Sequence, residues 1–246
     1  MSLTPDVVGK TTVTITINNK TFQVNINTLG VDVPNSLLLS TKQKKQITVK
    51  GINGIKWNSS NSSVVSVSKN GTIYAKKTGN AVLIGTLGDL QLGCAVSVVT
   101  PARKRTVQKA IQIAKTCTYS QPKRMQEKFY DCSSLVWKSY HKNGVNFGMA
   151  YYAPVAADMG KWCAQHKKLV SGGLSQANIQ NMKLNPGDVM FETGQKNGRY
   201  KGIYHVEMIT GYIFYGFDGN GKAELGIQWA TGGEKYYPMG QMVGRP

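Results

Sequence analysis

The sequence predicts two domains, an all-β sandwich over residues 1–100 and an α+β domain over residues 101–246. Three observations predict this division. Alternating β-branched runs fill the first hundred residues, helical spacing of apolar residues begins beyond Pro101, and strand patterning returns after Pro186-Gly187-Asp188.

In order along the chain, Thr11–Ile17 alternates with period two, Asn18-Asn19-Lys20 reads as a turn, and Thr21–Ile26 alternates again. Gln46–Lys50, Ser63–Val67 and Ala95–Val98 repeat the pattern. Asn70-Gly71 predicts a tight hairpin, because both residue types accept positive φ. Short strands at this spacing predict a sandwich. Pro101–Arg105 reads as a polar, basic joint. Val107, Ile111 and Ala114 then predict a helix running through Lys115, and a second helix is expected from Ser133 to about Lys142, stopped by Asn143-Gly144. Strands are expected at Val189–Phe191, His205–Thr210, Tyr212–Phe217 and Glu224–Ala230, with Asp218–Gly221 closing a hairpin.

The formal net charge of +18 is shared between the domains, +7 over residues 1–100 and +11 beyond. Such a field attracts polyanions, among them nucleic acid and anionic wall polymers. Nucleic acid is disfavoured, because no basic run carries interleaved aromatics at a recognition spacing. No apolar run is long enough for a membrane span, and the N-terminus lacks the basic and apolar regions of a signal peptide. The four cysteines, at 94, 117, 132 and 163, match no zinc spacing and are too few for a disulfide framework. Cys94, Cys117 and Cys163 are expected as buried apolar residues; a Cys117–Cys163 bridge has no support.

Residues 55–81 carry a first resemblance. Trp57-Asn58-Ser59-Ser60-Asn61 leading to Val64 and Val67, then Asn70-Gly71, then Ala75 to Gly79, resembles the bacterial Ig-like domain of group 2 over about residues 33–99. That resemblance implies a small sandwich serving as spacer or adhesion module, with Trp57 between its sheets and Gly79 at a tight corner. Residues 1–32 precede it, as an extra strand pair, a fragment of another module, or in part a cloning scar.

The sharpest chemical signal is Tyr130-Asp131-Cys132-Ser133-Ser134-Leu135-Val136, which puts a cysteine in the first turn of a helix. Free N–H groups and the positive end of the helix dipole there are expected to lower the thiol pKa and to bind an oxyanion. A buried structural cysteine fits the same local features. A nucleophilic thiol needs a base. Of the three histidines, His141 lies about two turns along the same helix, His166 sits in a polar stretch, and His205 opens an apolar strand. Elimination leaves His205.

Tyr119 through Val136, then Asn185–Phe191, then Tyr204–Gly211, resemble in order the three motifs of the NlpC/p60 cell-wall peptidases. The resemblance covers about residues 105–246. It implies a papain-like α+β fold, with a helix-borne cysteine packed on an antiparallel sheet, and hydrolysis of murein stem peptides between γ-D-glutamate and a diamino acid. It makes Cys132 the nucleophile, His205 the general base, Asp131 a binder of a substrate amine, and Tyr119 and Ser133 neighbours of the oxyanion region. A third residue, orienting the imidazole, belongs on the next strand. Gln228 is the choice there, and an alignment shifted by one puts Trp229 in its place and leaves a dyad. No metal or organic cofactor is required. Residues 146–160 and Gly172-Gly173 are expected along the substrate groove. The expected partners are peptidoglycan and anionic wall polymers, with the protein acting as a monomer at the cell wall or outside the cell, or as a lysin released from a phage or mobile element. An amidase with the same site, and a wall-binding protein without activity, are the competing readings.

Overall fold

The computed structural model describes residues 9–28, 30–50, 54–232 and 237–246. Its first elements are β1 (Gly9–Ile17) and β2 (Lys20–Thr28), an antiparallel pair in register from Gly9↔Thr28 to Ile17↔Lys20. Asn18 and Asn19 turn the chain with φ of 49° and 60°, the left-handed pair that a two-residue hairpin needs. Ile15, Ile17, Phe22 and Val24 are exposed on this ribbon.

A β-sandwich follows, built from β3 (Gly30–Asp32), β4 (Ser36–Ser40), β5 (Lys44–Gln46), β6 (Thr48–Lys50), β7 (Lys56–Ser59), β8 (Val65–Val67), β9 (Thr72–Ala75), β10 (Gly79–Leu87) and β11 (Leu90–Val99). One sheet has the order β4-β11-β10-β7 and the other β5-β9-β8, with β3 and β6 paired alongside. Leu39, Ile47, Val65, Ile73, Leu83, Cys94, Val96 and Val98 fill the space between them. At the Asn70-Gly71 turn only Gly71 takes a positive φ, 80°, so the expected mirror-image turn does not form. A Cβ there would lie 2.5 Å from the Ile47 carbonyl oxygen. Trp57 is only half-buried and lies over Gly85 at the sandwich margin, because β7 is an edge strand.

Strand β11 is buried along most of its length on both faces. The reason lies in the second domain. That domain comprises α1 (Pro101–Thr116), β12 (Thr118–Tyr119), β13 (Phe129–Tyr130), α2 (Cys132–His141), α3 (Ala156–Gln165), α4 (Gln176–Gln180), β14 (Val189–Thr193), β15 (Ile203–Phe217), β16 (Ala223–Trp229) and β17 (Met242–Gly244). Its sheet runs β16-β15-β14-β17. Ile203, Val206 and Met208 of β15 join Val107, Ala110, Leu135, Val136 and Met159 of the three long helices in one core. Ile209, Tyr212 and Phe214 join a second core with Leu174, Ile179 and Trp229, and with Val82 and Ala95 of the sandwich.

The two domains therefore share buried apolar surface. The Phe214 ring rests where a Cβ on Gly93 would come within 2.3 Å of it, so only glycine admits the contact. Asn80 Nδ2 donates to the carbonyls of Met182 and Leu184 at 3.0 and 2.9 Å, and the Phe214 amide donates to Asn35 O at 3.0 Å. The expected basic joint does not exist. Thr100 caps α1 by accepting from the Arg103 amide, and Pro101 occupies the first turn, where its missing N–H costs nothing.

Gly211 does not separate two strands, as the sequence suggests. β15 runs unbroken from Ile203 to Phe217 and absorbs irregularities near residues 210 and 215 as bulges. The Asp218–Gly221 hairpin forms as expected, with Asp218 Oδ1 accepting from the amides of Asn220 and Lys222. The Pro186-Gly187-Asp188 turn is held by Arg245, whose Nε and Nη2 donate to the fully buried Asp188 at 2.9 and 2.7 Å. Among the described residues no helix is long and apolar enough to cross a membrane.

Candidate active site

The start of α2 is built from its own sequence. Asp131 is the N-cap: Oδ1 accepts from the Ser134 amide at 2.7 Å, while Ser134 Oγ accepts from the Asp131 amide at 2.8 Å. This reciprocal capping box fixes the first turn and sets Cys132 as its first residue. Arg124 locks the turn from outside. Its guanidinium donates to Asp131 Oδ2 at 2.9 Å, to Ser133 Oγ at 3.1 Å and to the carbonyl of Ala153. Both charges are buried and mutually paired.

This arrangement corrects two expectations. Asp131 is not available to a substrate amine, because both of its oxygens are taken by the cap and by Arg124. Ser133 is buried and bonded to Arg124 and Asp131, so it supports the turn and does not face the oxyanion region.

The Cys132 thiol lies against β15. Burial is the largest influence on it and pushes its pKa up, with the nearby Asp131 charge adding to the rise; hydrogen bonds from the backbone of Val206 and Ser133 and from the Tyr119 hydroxyl pull the other way. Helix-start placement alone predicts a depressed pKa; here burial, the largest influence, raises it instead. Tyr119, at the end of β12, is about half exposed and stacks edge-on against Tyr130 with ring centroids 5.5 Å apart. Its own pKa is raised by burial and by the neighbouring Cys132 and Asp131.

His205 immediately precedes Val206, whose backbone bonds the sulfur. The structure thus brings Tyr119, Cys132 and the His205 segment of β15 together. His205 stands opposite Glu192 of β14 in register. Its Nε2 lies 3.5 Å from the hydroxyl of Tyr237, and the two rings are near-parallel at 6.1 Å. The other histidines are committed elsewhere: His141 stacks on Trp137 at 4.1 Å and His166 on Trp162 at 4.4 Å.

Gln228 is not beside His205. It pairs across the sheet with Gly211, six residues along β15, which is about 20 Å at the rise of an extended strand. Its Oε1 accepts from Ser36 Oγ of the sandwich at 2.9 Å, so its role is to join the domains. Trp229, the alternative, is buried opposite Ile209 and packs edge-on against Tyr237 at 4.7 Å. Tyr237 itself was not legible, because it lies past the end of β16 in a stretch without periodicity.

All four cysteines are free thiols, so the Cys117–Cys163 bridge does not form; Cys117 is partly exposed, whereas burial pushes Cys94 and Cys163 up to about 12. Loop 146–155 contributes exposed Met149, Tyr151 and Tyr152, the last stacked with Arg124 at 5.1 Å. Gly173, expected along the groove, serves packing: a Cβ there would lie 2.3 Å from the Gln241 carbonyl oxygen. A cavity of about 660 Å³ follows β16, lined by Gln180, Tyr215, Gln228, Trp229, Tyr237 and Met239 among others. No cluster of potential metal ligands occurs among the described residues.

Residues 33–98 match the family model of the bacterial Ig-like domain (group 2), in agreement with the sandwich observed there. Solved structures with some likeness include a bacterial Ig-like domain containing GH10 xylanase from termite gut, at 22% identity and a TM-score of 0.25, covering 26% of this chain and 18% of that one. Domains 4 and 5 of the S-layer protein SbsC give 18% identity and a TM-score of 0.24, covering 40% and 62%. An intimin mutant of EHEC O157:H7 gives 12% identity and a TM-score of 0.23, covering 57% and 79%. No curated protein matches the chain. The family match ends at residue 98, and the second domain stands on its own residues.

Proposed function

We propose that the second domain is a cysteine peptidase of NlpC/p60 type with a papain-like fold, hydrolysing murein stem peptides at the γ-D-glutamyl–diamino acid bond. The observation that carries this reading is the contact between the Cys132 thiol, at the start of α2, and the backbone of Val206 beside His205. A helix-borne sulfur next to an imidazole-bearing strand is the pairing that thiol acyl transfer needs.

The chemistry follows from the groups in place. The thiol is raised by burial, so it requires a base at the moment of attack. His205 takes the Cys132 proton as sulfur adds to the amide carbonyl. The oxygen so charged is met by N–H groups at the start of α2 and by the Tyr119 hydroxyl. Collapse of the adduct expels the amine, which His205 protonates, and leaves a thioester on Cys132. Water, deprotonated by His205, then hydrolyses the thioester and returns the thiol.

The net charge of +18 favours approach to an anionic wall, and the Ig-like domain adds a second surface for it. Mass spectrometry of fragments released from purified murein tests the reading. New γ-D-glutamyl carboxylates with the parent protein, and none with Cys132→Ala, are expected. A free lactyl carboxylate on the sugar assigns an amidase instead. Equal release by Cys132→Ala removes the thiol mechanism; no release by either protein removes the enzyme reading and leaves a wall-binding protein.

A further inference from the structure

Resting on the reading of Cys132 and His205 as nucleophile and base, we infer that Tyr237 is the positioning residue of the imidazole, filling with a phenol the role expected of the Gln228 amide. The Tyr237 hydroxyl lies 3.5 Å from Nε2, and its ring lies within 20° of parallel to the imidazole. Trp229 backs the phenol edge-on at 4.7 Å and so fixes its direction. Trp229 in turn is buried in the core shared by both domains. The hydroxyl is thus aimed by packing.

A neutral phenol oxygen has lone pairs to accept the Nε2 proton. That bond selects the tautomer protonated at Nε2 and leaves the Nδ1 lone pair to take the Cys132 proton. Burial raises the Tyr237 pKa, and the surrounding Glu207, Glu192, Cys132 and Tyr204 raise it further, so the phenol stays neutral. The titratable groups at the site are Glu192, opposite His205 on β14, Tyr204 and Glu207 on β15, Cys132 with its neighbours Asp131 and Tyr119, and Tyr237. As an acceptor, the phenol favours imidazolium over imidazole; removing its oxygen therefore lowers the His205 pKa.

The test is the rate of Cys132 alkylation by iodoacetamide against pH, read by peptide mass spectrometry on the full chain as parent, Tyr237→Phe and His205→Ala. The parent is expected to show a limb in its profile from His205 that is lost in His205→Ala. Tyr237→Phe is expected to keep that limb but move it to lower pH, with the rate at pH 7 reduced about five- to tenfold, the scale of one ordinary hydrogen bond. If His205→Ala matches the parent, the Cys–His pairing itself fails. If His205→Ala differs and Tyr237→Phe matches the parent, the pairing stands and the role of Tyr237 falls. Nitrogen NMR of the parent's His205 ring covers a variant that fails to fold: the Nε2–H tautomer is expected for the neutral ring, and a dominant Nδ1–H tautomer overturns the inference.

Discussion

Replacing Phe214 by alanine tests whether the sandwich and the α+β domain form one cooperative unit. The ring is buried to 7% exposure, packs edge-on against Phe217 at 4.9 Å, and lies on the bare backbone of Gly93. Its loss removes the transfer free energy of a buried aromatic and leaves a cavity between domains, which together cost about 3–5 kcal/mol. For a chain of this size each kcal/mol is worth roughly 2–4 °C, so Tm is expected to fall by about 10 °C. Thermal unfolding should be followed by near-ultraviolet circular dichroism and by a Trp57 probe in a background where Trp137, Trp162 and Trp229 are phenylalanine. Both signals are expected to move together, because Val82 and Ala95 of the sandwich are buried in the same cluster as Phe214. Gly93→Ala should also destabilise, and should cost less once Phe214 is alanine, since the clash at 2.3 Å is then gone. Two separate transitions in the parent, or a Phe214→Ala cost below about 1 kcal/mol, refute the shared-core reasoning.

Arg124→Ala strands the buried Asp131 carboxylate without its cation and is expected to cost about 3–5 kcal/mol, measured by urea unfolding; a neutral effect contradicts the locked first turn. Gln228→Ala should leave hydrolysis within about twofold of the parent, since that side chain bonds Ser36 and one such bond is worth about 1 kcal/mol in stability; a hundredfold loss of kcat would restore it to the site. Cys94 and Cys163 have pKa values raised from 9.0 to about 12, so the folded state holds their protons more tightly than the unfolded one. Their contribution to stability is complete below pH 9 and is lost as pH rises towards 12. Melting temperatures measured from pH 8 to 11 should fall, and Cys94→Ala with Cys163→Ala should flatten that fall; an unchanged slope contradicts the burial.

Several strands were legible because they alternate. Thr11–Ile17 and Thr21–Ile26 carry their period openly and fall in β1 and β2, the ribbon ahead of the sandwich, while Ala95–Val98 falls in β11 of the sandwich itself. The start of α2 was legible to within a residue, expected at Ser133 and found at Cys132, whereas α1 begins at Pro101, inside the stretch that reads as a joint. What was hidden is what depends on packing between distant segments. Ala95–Val98 reads as one buried face, yet β11 is buried on both, because Phe214 and Tyr212 arrive from more than a hundred residues away. Gln228 is polar and central on its strand, which made it a plausible orienting group. Register decides otherwise, since bulges in β15 set it against Gly211 and within reach of Ser36. The direction of the thiol pKa was hidden for a related reason: a helix terminus is local and visible, whereas the burial that raises the pKa is not.

The central claim is that Cys132 forms a covalent acyl intermediate with His205 as its base. Acid quenching of the parent during murein digestion, followed by peptide mass spectrometry, tests it most directly. A thioester-linked stem-peptide fragment on the peptide containing Cys132, absent from the other three cysteines and from Cys132→Ala, is the predicted result. Continued bond cleavage by Cys132→Ala, with no adduct on the parent, contradicts it.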